Sequence, residues 1–109
     1  MAWLLRDGEV RASLEIASSL AARSRGLLGK KSYEGAMLFE HTRSVHTIGM
    51  RFPIDVAFLS RDLTVIATTM MPRQRIALPR RGGRCVLEAP AGAFARWQLC
   101  TGDRLEIKG

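Results

Sequence analysis

The segment Phe52-Pro53-Ile54-Asp55-Val56-Ala57-Phe58-Leu59 constrains the fold more than any other stretch of the chain. Successive side chains of a strand point to opposite faces. Ile54, Val56 and Phe58 therefore share one face, and Asp55, Ala57 and Leu59 the other. Ser60-Arg61-Asp62-Leu63 turns this strand back into Thr64–Met71, which predicts a hairpin. The same period of two appears near the start, where Val10, Ala12, Leu14 and Ile16 alternate with Arg11, Ser13 and Glu15. Asp7-Gly8 joins that run to Trp3-Leu4-Leu5, and Asp-Gly between apolar runs is a strong hairpin signal.

Shorter β-like runs follow. Ala36–Phe39 reads as a buried run, and Val45–Met50 is ambiguous, with Gly49 marking a bend or a close backbone approach. Arg84–Ala89 reads as a strand ended by Pro90-Ala91-Gly92, and Leu105–Ile107 follows a Gly102-Asp103 turn. Pro72 and Pro79 bracket an irregular basic loop. Helical spacing is clear once: Ser18 or Ser19 caps a helix running to about Leu28, with Gly29 as its stop. Roughly six or seven strands and a short helix near 18–28 predict a mainly β chain bordering on α+β. The expected form is an antiparallel β-sandwich or open β-barrel, with the helix covering one end.

The 109 residues predict a single domain, 1–109, with one core. At 47% hydrophobic and 25% charged the composition is globular, not disordered or fibrous. No apolar run approaches the ~18–20 residues of a membrane-spanning helix. Met1-Ala-Trp-Leu-Leu-Arg-Asp lacks the pattern of a secretory signal, which makes the cytoplasm the expected location. Cys85 and Cys100 form no disulfide framework; both sit in apolar contexts and read as small buried hydrophobes.

Charge is unevenly distributed. The chain carries 17 Lys+Arg against 10 Asp+Glu, a formal +7. Arg73, Arg75, Arg80, Arg81 and Arg84 follow one another without an acid between them. Such a loop is either the solvated surface of an Arg-rich protein or a salt-sensitive contact for polyanions, including nucleic acid. No aromatic residue lies among these arginines to stack on bases.

The ordered motifs resemble a known family. Arg23-Ser-Arg-Gly26-Leu27-Leu28, Gly35-Ala-Met37-Leu38-Phe39 and His46-Thr47-Ile48-Gly49-Met50-Arg51-Phe52-Pro53-Ile54-Asp55-Val56-Ala57-Phe58-Leu59 are similar to the DUF192 (UPF0127) family. The likeness continues through Pro72, Val86-Leu87-Glu88-Ala89-Pro90-Ala91-Gly92 and Gly102-Asp103. Many members are similar to Trp-Met-Lys-Asn-Thr where this chain has Ile48-Gly49-Met50-Arg51-Phe52, so it resembles a His-Thr-x-Gly-Met variant. The resemblance implies a compact, mainly β fold and no established chemistry.

The residues themselves suggest two binding readings. Asp55 lies on an apolar strand face and needs a cationic or donor partner, for which Arg23 and Arg51 are the natural candidates. Glu88, between Leu87 and Ala89, poses the same problem. A bend at Gly49 would bring His46 and Thr47 towards Asp55. Arg23, His46, Thr47, Arg51, Asp55 and Glu88 then form a candidate site for a small polar or anionic ligand or a partner segment. The bland alternative is structural pairing of the same groups. The competing function is polyanion binding by Arg73, Arg75, Arg80, Arg81 and Arg84. An enzyme is the less favoured third reading. No nucleophile has an evident base, and no GxGxxG, Walker loop or GxSxG is present. Neither a cofactor nor a metal is expected, because His41 and His46 lack the one-turn spacing of a helical zinc pair.

Overall fold

The computed structural model describes residues 2–17, 35–48, 50 and 52–109. Asp7 (φ 54°) and Gly8 (φ 77°) both adopt left-handed backbone, as a two-residue turn matching the strand twist requires. They connect β1 (Ala2–Arg6) to β2 (Glu9–Ala17) as an antiparallel hairpin with a bulge at Leu4/Leu5. β3 (Ala36–Phe39) runs parallel to β2, the one parallel pair among the described strands. Next come β4 (Val45–His46), β5 (Ile54–Leu59), β6 (Val65–Met71), β7 (Ile76–Ala77) and β8 (Cys85–Pro90). A single helical turn, α1 (Ala93–Trp97), precedes β9 (Leu105–Lys108). The helix predicted near 18–28 lies outside the described residues.

Seven strands form one curled half-barrel sheet in the order β6-β5-β8-β3-β2-β1-β9, and β4 pairs with β7 separately. Of the two predicted architectures the open barrel is therefore the one adopted. Its edge strands meet where they begin: Thr64 bridges Arg104, and the Val65 N–H donates to the Asp103 carbonyl at 2.8 Å. The Asp103 carboxylate accepts the Cys100 N–H at 2.8 Å and the Arg6 guanidinium at 3.0 Å. The Cys100 bond first, and Arg6 second, hold this carboxyl below its ordinary value of 3.8. Sequence-distant ends are thereby fastened at the seam.

The alternation of β5 divides the core as its sequence predicts. Ala57 and Leu59 join Leu4, Leu14, Leu38, Val65, Leu87 and Leu105 on the inner face, which collects side chains from both edge strands. Ile54, Val56 and Phe58 join Met37, Phe39 and Val86 on the outer face, where the β4–β7 ribbon covers them with Val45 and Ala77. Leu87 is fully buried, and cutting it to Ala would cost about 2–5 kcal/mol through lost contacts and a residual cavity. The run at 10–16 is less uniform than its pattern predicts. Leu14 is buried, but Val10 and Ile16 are 57% and 46% exposed, although Ile16 stands beside the buried Leu38 in the ladder.

Candidate functional site

The side chain of Asp55 points to the inner face, in step with Ala57 and Leu59. Its Oδ2 accepts the backbone N–H groups of Gly92 and Phe94, each at 3.0 Å. The partner of this carboxylate among the described residues is thus a pair of main-chain donors, where the sequence favours an arginine. Gly92 (φ 93°) supplies the left-handed residue that lets both N–H groups turn towards β5. Asp55 serves as an external cap for α1, whose own N-terminal residue has no side chain to do so. Arg23 and Arg51 lie outside the described residues.

Thr47 belongs to the other side of the sheet and is fully buried. Its hydroxyl donates to the Pro72 carbonyl at 2.7 Å and accepts the Arg75 N–H at 2.8 Å. The Thr47 main chain adds two bonds to the loop, donating to the Arg75 carbonyl at 2.7 Å and accepting the Gln74 N–H at 3.1 Å. One threonine therefore fastens the 45–50 segment to the start of the basic loop. His46 is exposed beside it, opposite Ile76 in the β4–β7 pair. Glu88 is completely buried on the outer face, flanked across the ladders by Met37 and Val56. The predicted cleft of His46, Thr47 and Asp55 is not formed, because β5 sends Asp55 inwards while β4 packs against the outside.

The five arginines of the 73–84 loop are all exposed. Two of them also support the loop. Arg80 lies over the Phe58 ring, 5.3 Å from its centroid, and Arg75 donates to the Gln74 carbonyl at 3.2 Å.

Arg84 reaches a different place. The antiparallel pairings Leu59↔Cys85 and Phe39↔Val86 put the ends of β3 and β5 beside the beginning of β8. The residues just outside these three strand ends are Glu40, His41 and Arg43, then Arg61, then Arg84. They surround a hollow of about 660 Å³ floored by Leu38 and Cys85, at the end of the half-barrel opposite α1. About 13 Å of strand separates Asp55, at the α1 end, from Leu59 at this mouth. Arg43, Arg61 and Arg84 are exposed and form no ion pair with a described residue.

The sequence offers only an indirect signal for this cluster. Arg43, Arg61 and Arg84 are far apart along the chain, and each stands just beyond an apolar run. Their meeting depends on the strand order, which no local pattern encodes. Cys85 at the floor keeps its thiol proton. Burial, reinforced by the Glu40 charge, pushes its thiol up to about 11 and keeps it protonated near neutral pH. Among the described residues, no three His, Cys, Asp or Glu side chains gather closely enough to hold a metal ion. No described helix is long and apolar enough to cross a membrane.

Residues 2–107 match the family model of DUF192, described as "Uncharacterized ACR". The UPF0127 protein of Pyrococcus horikoshii is 36% identical over 106 residues, covering 92% of this chain and 88% of that protein. Its counterpart from Pyrococcus furiosus is 32% identical over 104 residues, with 90% and 89% covered. A crystal structure from Sinorhizobium meliloti, described as a candidate transcription regulator, superposes with a TM-score of 0.78 at 26% identity. It covers 97% of this chain and 91% of that one. A protein of unknown function from Novosphingobium aromaticivorans shares the fold, with a TM-score of 0.75 at 22% identity, covering 96% and 82%. By the match along nearly its whole length and the identity to full-length relatives, the chain belongs to the DUF192 family.

Proposed function

We propose that the protein is a non-enzymatic binding module for a small, multiply charged anion, held at the mouth of the half-barrel. The observation that carries this reading is the convergence of Arg43, Arg61 and Arg84 on one hollow where Glu40 is the lone carboxylate among the described lining residues. Its volume suits a metabolite-sized ligand, and guanidinium forks suit carboxylate or phosphate oxygens. The apolar floor of Leu38 and Cys85 lowers the local dielectric and strengthens each such contact. The protonated Cys85 thiol fits binding better than covalent chemistry. The reading keeps the ligand class predicted from sequence and moves its site from the His46/Thr47/Asp55 segment to the opposite end of β5.

Calorimetric titration with pyrophosphate and with citrate tests it. The parent protein should bind at least one probe saturably with one site. The exposed double variant R43Q/R84Q should keep its melting temperature and bind about 10–100-fold more weakly, as loss of charge-assisted hydrogen bonds entails. Failure of both probes to bind, or equal binding by the variant, overturns the proposal. A second reading, polyanion binding by the 73–84 loop, is favoured by the exposure of all five of its arginines.

A further inference from the structure

The β4–β7 ribbon and the loop that follows it combine two features seldom found together on a surface. Ala77 packs inward on the outer core. Its neighbours Ile76 and Leu78 are consequently turned to solvent, 65% and 74% exposed. Ile48, 50% exposed, lies beside Ile76 on the rim of a hollow of about 570 Å³. The hollow is otherwise lined by Val45 and by polar or cationic groups, among them Ser44, Arg43 and His46. Along the chain Arg73 and Arg75 precede Ile76, and Arg80 and Arg81 follow Leu78; all four are exposed. Neither 41–54 nor 63–87 contains an Asp or Glu in its sequence.

We propose that this face docks on anionic lipid membranes. Ile48, Ile76 and Leu78 enter the boundary between headgroups and acyl chains, and the arginines contact the lipid phosphates. The surface is suited to this in three respects. Its aliphatic groups project from the short β4–β7 ribbon and the residues just beyond it, at the rim of an open hollow. They are flanked in the chain by cations, Arg43 lines the hollow beside two of them, and no Asp or Glu is among that hollow's described lining residues, the charge arrangement that a negatively charged leaflet complements. Aromatic side chains, which stack on bases in single-strand binding, are absent from 73–84, so nucleic acid is the poorer occupant. The hollow beside Ile48 and Ile76 places Arg43 and Ser44 where a headgroup phosphate would lie once the aliphatic tips are inserted. This face shares Arg43 with the rim of the half-barrel mouth, but Ile48, Ile76 and Leu78 do not line that mouth, so their insertion does not depend on the ligand proposed there.

Co-sedimentation with phosphatidylcholine vesicles containing about 30% phosphatidylserine tests the proposal, with pure phosphatidylcholine vesicles as the neutral control. The parent protein should bind the anionic vesicles, bind the neutral ones at least tenfold less, and lose affinity as salt is raised. I76S/L78S should weaken binding to anionic vesicles at least tenfold with an unchanged melting temperature, since both side chains stand in solvent. R73Q/R81Q should weaken it by about fivefold per arginine. Equal binding to neutral vesicles, no binding to either, or full binding by I76S/L78S overturns the proposal. Binding of a single-stranded oligonucleotide that outcompetes the vesicles and is untouched by I76S/L78S would assign the face to nucleic acid.

Discussion

Replacing Asp55 by Ala should destabilise the fold from inside the barrel. The carboxylate accepts two main-chain bonds of 3.0 Å, from Gly92 and Phe94, where the side chain is 8% exposed and water cannot readily replace it. A hydrogen bond to a charged group contributes about 1.5–3 kcal/mol. Two bonds sharing one oxygen are coupled, so the expected loss is about 2–4 kcal/mol. For a chain of this size that lowers Tm by roughly 10–20 °C. Asp55→Asn keeps an oxygen that can accept the same N–H groups and should cost only about 1–2 kcal/mol. Urea unfolding measures both variants, and amide exchange at Gly92 and Phe94 should accelerate in the Ala variant. If Asp55→Ala unfolds within roughly 0.5 kcal/mol of the parent, the cap on α1 does not hold that end of the barrel, and the structural role assigned to Asp55 is wrong.

Three further outcomes follow from single side chains. Thr47→Val preserves shape and removes the hydroxyl between Pro72 and Arg75. It should cost about 1–3 kcal/mol in urea unfolding and speed exchange of the Arg75 amide, whereas an unchanged exchange rate would show that the hydroxyl does not anchor the loop. Cys100 is exposed and Cys85 buried, so thiol labelling near neutral pH should proceed quickly at Cys100 and slowly at Cys85. Because the folded Cys85 thiol is raised from 9.0 to about 11, the folded state holds this proton more tightly than the unfolded chain. Its contribution is complete below pH 9.0 and is lost as pH rises towards about 11, so stability should fall in that window. Cys85→Ala should flatten the decline; an equal decline in that variant would trace it to other groups.

Much of the scaffold is legible in local sequence. The period-two runs locate β2, β5 and β6, and Asp7-Gly8 beside Trp3-Leu4-Leu5 locates β1 and the first turn, because strand faces and tight turns are decided by neighbouring residues. The alternation of β5 even assigns its side chains to the correct cores. α1 is not legible, since five residues give no helical period and its stability comes from Asp55, a residue 37 positions away from Gly92. The same limit applies to the candidate site. Proximity in sequence groups His46 and Thr47 with Asp55, yet a sheet layer separates them. Arg43, Arg61 and Arg84 meet only because β8 lies between β5 and β3 in the sheet. The chemistry of the residues predicts an anion-binding site, but their address depends on strand order.

The account rests on where a small anion binds, and a pyrophosphate titration followed by backbone amide NMR tests this most directly. Saturable shifts should concentrate at Glu40–Arg43, Arg61 and Arg84–Cys85, and leave Gly92–Trp97 at the opposite end of the barrel unmoved. Shifts centred instead on His46, Thr47 and Asp55, or spread evenly over every exposed arginine, would contradict a built site at the mouth.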